Sequence, residues 1–229
     1  MSIRLGRAAA SAVAVGAITF LVGACSSAPS PSPSTPAGSQ PARGVISQLS
    51  GPTPQAAAAT SLVQLRDAVD AGNYAALGFE SVEEAANAQL GRSLPISIVL
   101  VDRLATFAAG TDPATVLVDG DMQIFEVLVN GAVKSSVEVV RIGDQWSGDR
   151  LGSPHLIAAI ASLHGDDADR AIAIPAMNVW LMARDVDGTF TVTPVFDYPK
   201  LGLVSGVPQP AGEVFSILAA NVPSGDVEN

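Results

Sequence analysis

Apolar and polar residues alternate in the middle of the chain, from Met122 to Val140, as in a half-buried β-strand. The alternation is interrupted at Asn130-Gly131, a dipeptide that readily adopts the positive φ angles of a two-residue hairpin turn. A second tight turn is predicted over 142–145, and it leads into Trp146. The pattern therefore predicts a three-stranded antiparallel meander.

A second alternating region predicts another hairpin, formed by 172–184 and 189–196 about Asp187-Gly188. The apolar side chains on one face of this hairpin are expected to lie in the core: Val179, Leu181, Ala183, Phe190, Val192 and Phe196. The opposite face carries an aromatic residue, a methionine, an arginine and two threonines: Trp180, Met182, Arg184, Thr191 and Thr193. Aromatic, Met and Arg side chains are enriched where partners dock, so these five residues form the candidate binding surface. The alternative is that the helix beginning near Ser153, or the last helix, covers Trp180.

Helical spacing and capping signals predict helices before, between and after these strands. Thr53 is expected to cap a helix over about 54–71, with Pro54 at its first position. Ser81 and Glu84 form a capping box for a shorter helix that is expected to stop at Gly91. The further predicted elements are a strand over 95–101, a helical turn from Asp112-Pro113, and helices over 153–165 and 213–221. Together these elements predict an α+β domain over 55–222, with an antiparallel sheet built from hairpins and several helices packed on it.

The N-terminal segment has the pattern of an export signal. Two arginines precede an uncharged stretch over 8–24, which is too short and too rich in Ala and Gly for a membrane span. The stretch ends in Val22-Gly23-Ala24-Cys25, which resembles the lipobox of bacterial lipoproteins. The resemblance implies removal of residues 1–24, attachment of diacylglycerol to the sulfur of Cys25, and usually acylation of the new amine by a chain such as palmitate. The alternative is an ordinary secretory signal that contains a chance cysteine.

The location of the protein follows from the same resemblance. Ser26 stands where the lipoprotein signal for inner-membrane retention has Asp, so delivery to the outer membrane is implied in a cell that has one. The protein would then face the periplasm or the cell surface as a membrane-anchored protein of the cell envelope. Residues 25–54 would form the lipidated cysteine and a disordered tether, because 26–54 contain seven Pro and eight Ser and one charged residue. Residues 223–229 are expected to be a flexible tail.

The acidic composition limits the partners of this protein. The chain has 12 Lys and Arg against 22 Asp and Glu, and cleavage before Cys25 would leave ten basic against 22 acidic side chains, a net charge of −12. Such a body repels phosphate backbones and anionic headgroups, so nucleic acid is not an expected partner and the membrane is reached through the lipid alone. Since Cys25 is the single cysteine, it cannot close an internal disulfide.

One carboxylate is predicted to lie on an apolar face of the meander. With Asn130-Gly131 as the turn, Glu126 is expected opposite Ser135, and Arg141 is expected opposite Trp146 on the same face. A carboxyl group among apolar neighbours has a raised pKa unless it is paired, and such groups are enriched at functional sites. The alternatives are that Ser135 or Arg141 satisfies Glu126, or that a β-bulge turns it to solvent.

Other chemistry is weaker in the sequence, and no metal or cofactor is predicted. His155 and His164 are nine residues apart and fall on opposite sides of one predicted helix. The aspartates at 166, 167 and 169, and those at 185 and 187, have the composition of solvated loops and turns. Motifs of nucleophilic catalysis and phosphate binding are missing from the sequence.

Two functions remain open at this stage. The first hypothesis is a non-catalytic binding or interaction module of the cell envelope, which takes a protein or an apolar ligand. The alternative is an envelope hydrolase with a scattered acidic site that includes Glu126. An enzyme is expected to have a deep pocket in which a perturbed carboxyl lies within hydrogen-bond reach of a second polar group.

Overall fold

Nine strands form a single, mostly antiparallel sheet in the computed structural model, which describes residues 50–165, 169–186 and 188–223. The strands are β1 (Ser50–Gly51), β2 (Gln89–Val99), β3 (Leu117–Val129), β4 (Ala132–Ile142), β5 (Gln145–Leu151), β6 (Arg170–Ile174), β7 (Val179–Val186), β8 (Thr189–Pro194) and β9 (Gln209–Pro210). Their order in the sheet is β1-β5-β4-β3-β2-β6-β7-β8-β9. The pair β2 and β6 is parallel, and the other neighbouring strands are antiparallel. The predicted α+β class, with hairpins joined into an antiparallel sheet, is confirmed.

Five α-helices lie in the same described ranges. They are α1 (Pro54–Ala68), α2 (Val82–Ala86), α3 (Val101–Ala105), α4 (Pro154–Leu163) and α5 (Ala211–Ala220). The predicted caps are present, because the side chain of Thr53 accepts a hydrogen bond from the backbone N–H of Ala56 and that of Ser81 accepts one from Glu84. The prediction that the second helix runs to Gly91 was wrong, since α2 is five residues long and Gly91 lies in β2.

The predicted turn at Asn130-Gly131 is present, with φ angles of 51° and 79°. Leu128 faces Val133 as predicted, but Lys134 then bulges out of β4 and shifts the remaining pairs by one residue. The predicted pairing of Glu126 with Ser135 was therefore wrong. Glu126 lies opposite Ser136, and Ile124 lies opposite Glu138.

Contacts from outside the hairpin hold this bulge in place. The Nζ atom of Lys134 forms ion pairs with Glu80 at 2.7 Å and with Glu84 at 3.0 Å. Gly78 approaches so closely that a Cβ atom added to it would overlap the carbonyl oxygen of Lys134. These contacts join distant parts of the chain, and for that reason the local pattern did not reveal the bulge.

The predicted continuous strand over 172–184 is divided in two. Pro175 follows β6 and begins a short 3₁₀ turn, Pro175–Met177, because proline has no backbone N–H with which to continue the ladder. Asn178 completes the reversal in the left-handed region, with φ at 51°. As a result β6 and β7 form a hairpin of their own.

Helices cover both faces of the sheet. One buried cluster joins α1 to the central strands through residues such as Leu65, Phe125 and Val137. A second cluster joins α4 to the opposite face through residues such as Ile157 and Ile124. Because Ile124 and Phe125 are successive residues of β3 and point to opposite sides, α1 and α4 lie on different faces.

The helices α3 and α5 pack at the other end of the sheet. Phe215 of α5 and Leu104 of α3 share a buried cluster with Leu181 of β7, and the rings of Phe215 and Phe107 meet edge to face at 5.8 Å. Successive residues of β7 thus contact different helices, since Met182 belongs to the α4 cluster. Phe196 also packs in the α4 cluster, so its predicted place beside Leu181 was wrong.

The folded region begins earlier than the predicted boundary at residue 55. Ser50 and Gly51 pair with Ser147 and Trp146 as an edge strand, so the predicted tether over 25–54 extends too far into the domain. Residues 25–49 of the predicted tether, Cys25 included, lie outside the described residues, as do residues 224–229 of the predicted tail. None of the described helices is both long and apolar enough to cross a bilayer.

Candidate ligand-binding site

The structure does not assemble the predicted cluster around Glu126. Glu126 is 6% exposed, and its carboxylate accepts hydrogen bonds from the backbone N–H and the guanidinium of Arg92, both at 3.3 Å. Ser135 lies on the other face of β4, because the bulge separates it from Glu126. Arg141 is opposite Trp146 as predicted, but Trp146 packs in the α1 cluster on that other face. Glu126 is thus a paired carboxylate whose partner is Arg92.

Glu138 has the environment that the sequence predicted for Glu126. It is 1% exposed and lies on the α4 face, opposite Ile124. Its Oε2 atom is 3.5 Å from Nη1 of Arg150, and its buried Oε1 atom has no hydrogen-bond partner among the described residues. Burial raises the pKa of Glu138, the nearby charge of Arg150 lowers it, and that of Asp149 raises it further. The bulge at Lys134 places Glu138 on this face, because it shifts β4 by one residue and thereby brings Glu138, in place of Val137, opposite Ile124.

A cavity of about 250 Å³ lies beside this carboxylate. Arg150 and Asn178 supply the other polar side chains of its lining, and Trp180 supplies an aromatic wall. The rest of the lining is mostly apolar: Ile98, Met122, Ala173, Ile174 and Pro175. The cavity therefore combines an apolar interior with one buried acidic group.

A larger cavity of about 600 Å³ adjoins the first one and shares Trp180 and Asn178 with it. Its lining includes two further aromatic rings, Phe196 and Tyr198, together with Met177. The Tyr198 hydroxyl accepts a hydrogen bond from the backbone N–H of Trp180 at 2.7 Å, which ties the aromatic wall to the loop after β8. Burial raises the pKa of Tyr198, so its hydroxyl stays protonated at neutral pH.

The predicted binding surface is only partly brought together. Met182, Arg184, Thr191 and Thr193 line a separate cavity of about 310 Å³, where Met182 lies opposite Thr193 and Arg184 lies opposite Thr191. Trp180 does not line that cavity, and Met182 is 5% exposed because α4 packs against it. The prediction of one open face over all five residues was therefore wrong.

The polar groups of this separate cavity satisfy one another. The Nε and Nη2 atoms of Arg184 each donate a hydrogen bond of 2.6 Å to Asp169, which is 2% exposed. The hydroxyl of Thr191 donates to the carbonyl oxygen of Arg184 at 3.0 Å. Among the described residues that line this cavity, no buried side-chain polar atom lacks a partner.

Two aspartates in the described ranges are hydrogen-bonded to other side chains of the protein. Asp119 accepts hydrogen bonds from Ser97 and Arg170, and Asp169 binds Arg184. Residues 166, 167 and 187 lie outside the described residues. Over the rest of the chain that is described, no three His, Cys, Asp or Glu side chains are grouped so that they could hold a metal ion.

The important residues that sequence reasoning missed are Glu138, Arg150 and Tyr198. In a hairpin without a bulge, Val137 would lie opposite Ile124 and the side chain of Glu138 would point away from α4. The bulge shifts the pairing by one residue, so Glu138 faces α4 instead. The chain matches no protein-family model, and no curated protein and no solved structure is significantly similar to it.

Proposed function

We propose that this protein is a lipid-anchored, non-catalytic binding protein of the cell envelope, whose α+β domain takes a small, largely apolar ligand. The observation that carries the proposal is the pair of adjoining cavities that share Trp180. Aromatic and apolar linings with a few polar groups are typical of small-molecule sites, and the larger cavity has the volume of such sites. A concave site of this kind fits a small ligand better than it fits a protein partner with a flat surface.

The lipid anchor rests on the sequence of the N-terminal segment. The lipobox Val22-Gly23-Ala24-Cys25 supports attachment of acyl chains at Cys25. Each buried methylene contributes about 0.8 kcal/mol, so two or three chains hold a protein on a bilayer almost permanently. The Pro-rich and Ser-rich segment that follows would separate the binding domain from the membrane, which is the outer membrane in a cell that has one.

A hydrolase is the second candidate, and the buried carboxyl of Glu138 is the observation that favours it. General acid or base catalysis works best with a side chain whose pKa lies near the operating pH, and burial raises the pKa of the Glu138 carboxyl beside a cavity. Hydrolysis also needs a second acid, base or nucleophile within reach of the same bond. The other polar side chains in the described lining, Arg150 and Asn178, cannot act as a second acid, base or nucleophile. The geometry therefore favours binding over hydrolysis.

Uptake of the apolar dye Nile red by the full-length protein tests the binding function. Trp180→Ala should weaken the affinity at least roughly tenfold, because it removes the wall that both cavities share. The matched control is Trp146→Ala, since Trp146 is the other tryptophan of the chain and packs on the opposite face with α1. Failure of the wild-type protein to take up the dye, or equal losses in both variants, would contradict the proposal.

The anchor has a separate test in membrane fractionation. Cys25→Ser should move the protein from the membrane pellet to the soluble fraction, because it removes the sulfur that would carry diacylglycerol. Retention of most of the variant in the pellet would exclude anchoring through Cys25.

A further inference from the structure

We propose that the cavity beside Glu138 binds the protonated amino group of a small amine with an apolar body, with the ammonium seated on Oε1 of Glu138. This proposal rests on the proposed binding function and specifies the ligand class. It starts from the one feature of the cavity that the apolar lining does not explain, a carboxylate that is 1% exposed.

The carboxylate of Glu138 lacks a partner on one side. Its Oε1 atom is buried without a hydrogen bond in the described part of the chain. On the other side, Oε2 is 3.5 Å from the guanidinium of Arg150, which is at the outer limit of hydrogen-bond distance, and the Arg150 side chain is 57% exposed. A buried polar atom without a partner destabilises the fold, and more so when it is charged. A ligand that donates to Oε1 would remove this cost.

An ammonium group fits this requirement better than other chemical groups. It carries three N–H donors and a positive charge, so it forms a charge-assisted hydrogen bond with a carboxylate. An anionic group would be repelled by Glu138, and a purely apolar ligand would leave Oε1 without a partner. A divalent metal ion needs several oxygen ligands, whereas Glu138 is the single carboxylate in the described lining.

The volume and the lining define the rest of the ligand. A cavity of about 150 Å³ accommodates benzene, so the 250 Å³ beside Glu138 has room for one ring with a short aminoalkyl chain. Met122, Ile98 and Trp180 would surround the ring. Because Trp180 also lines the adjoining cavity of about 600 Å³, a longer apolar body could extend past it.

The charged groups around Glu138 also predict how binding depends on pH. Arg150 and Asp149 of β5 are the charged residues that act on Glu138, and the strands β2, β3, β6 and β7 contribute uncharged side chains to the lining. His155 of α4 lines the adjoining cavity and is exposed. Binding of an amine should therefore weaken as the pH falls and Glu138 takes up a proton.

Calorimetric titration of the full-length protein with phenethylamine tests the inference, with the near-isosteric neutral compound 2-phenylethanol as the reference ligand. At pH 7 we expect the amine to bind at least roughly tenfold more tightly than the alcohol, since a charge-assisted hydrogen bond is about twice as strong as a neutral one. Glu138→Gln should abolish this preference. The matched control is Glu126→Gln, a second buried carboxyl on the same face, which is paired with Arg92 and should leave the preference unchanged.

The outcomes separate this inference from the proposed function. Binding of Nile red or of 2-phenylethanol without any preference for the amine would overturn the inference and leave the binding function standing. Equal loss of the preference in Glu138→Gln and Glu126→Gln would also overturn it. If none of the three probes binds, both proposals are wrong. Should Glu138→Gln fail to fold, the wild-type titration decides, because amine affinity must fall between pH 7 and pH 4 while the affinity for the alcohol stays constant.

Discussion

Gly78→Ala tests whether long-range contacts fix the register of the β3–β4 hairpin. Gly78 has φ at +95°, and an added Cβ atom would overlap the carbonyl oxygen of the bulged residue Lys134 and lie 2.7 Å from Cβ of Pro154, where α4 begins. A left-handed backbone costs alanine about 1–2 kcal/mol. Overpacking of a filled site costs a further 1–3 kcal/mol or so. We therefore expect the variant to lose about 2–5 kcal/mol of its free energy of unfolding.

Gly131→Ala is the matched control for this substitution. Gly131 has φ at +79°, and an added Cβ atom would meet nothing within 4 Å, so this variant measures the backbone cost alone. Urea unfolding, followed by the fluorescence of Trp146 and Trp180, gives both free energies. The additional loss in Gly78→Ala should be about 1–3 kcal/mol, which lowers the melting temperature by a further 2–12 °C or so for a domain of this size. Equal losses in the two variants would refute the steric argument and with it the role assigned to Gly78.

Three further predictions concern the core, a buried ion pair and the acidic cavity. Phe215→Ala should lower the free energy of unfolding by about 3–5 kcal/mol, because Phe215 is fully buried against Phe107; a loss below about 1 kcal/mol in urea would contradict this packing. Asp169→Asn should cost about 2 kcal/mol in the same assay, since Asp169 is buried and accepts two short hydrogen bonds from Arg184; unchanged stability would exclude that role. The raised pKa of Glu138 makes the folded state bind its proton more tightly than the unfolded chain does, so the stability that Glu138 contributes should be lost as the pH rises from the ordinary value of 4.5 through the raised pKa. Glu138→Gln should remove this decline, and an unaltered pH profile of the unfolding free energy would place Glu138 in solvent.

The local elements of the fold were predictable where a few neighbouring residues determine the conformation. Thr53 and Ser81 begin helices as expected, because the side chain of each accepts a hydrogen bond from the backbone N–H three residues further on. Asn130-Gly131 forms the expected turn because these two residues tolerate positive φ. The ends of α1 and α2 were less well predicted. The helix α1 stops at Ala68, where the side chain of Asn73 binds its last carbonyl oxygen, and α2 stops at Ala86, shortly before β2 begins at Gln89.

The sequence predicted a buried carboxyl on a sheet face, but it did not predict which buried carboxyl would lack a full set of partners. Alternation within β3 correctly indicated a carboxyl on an apolar sheet face, and Glu126 is indeed buried there. One bulge at Lys134 then moved Glu138 to the same face, and Arg92 of the neighbouring strand β2 pairs with Glu126. Because side chains alternate with a period of two, a shift of one residue in β4 turns toward α4 those β4 side chains that would otherwise point to the opposite face.

The sequence by itself determined the α+β class, the β3–β4, β4–β5 and β7–β8 hairpins and the helix caps, because each depends on interactions between residues close together in the chain. The lipobox is likewise a local motif, and the proposed anchor at Cys25 depends on it alone. Only the tertiary structure decided that β2 pairs with β6 in parallel and joins the hairpins into one sheet. It also decided which carboxyl is buried without a full set of partners. That outcome depends on the contacts that Lys134 makes with Glu80 and Gly78, which are more than 50 residues away in the sequence. Such contacts form only when the sheet and its helices pack together, and no periodicity along the chain encodes them.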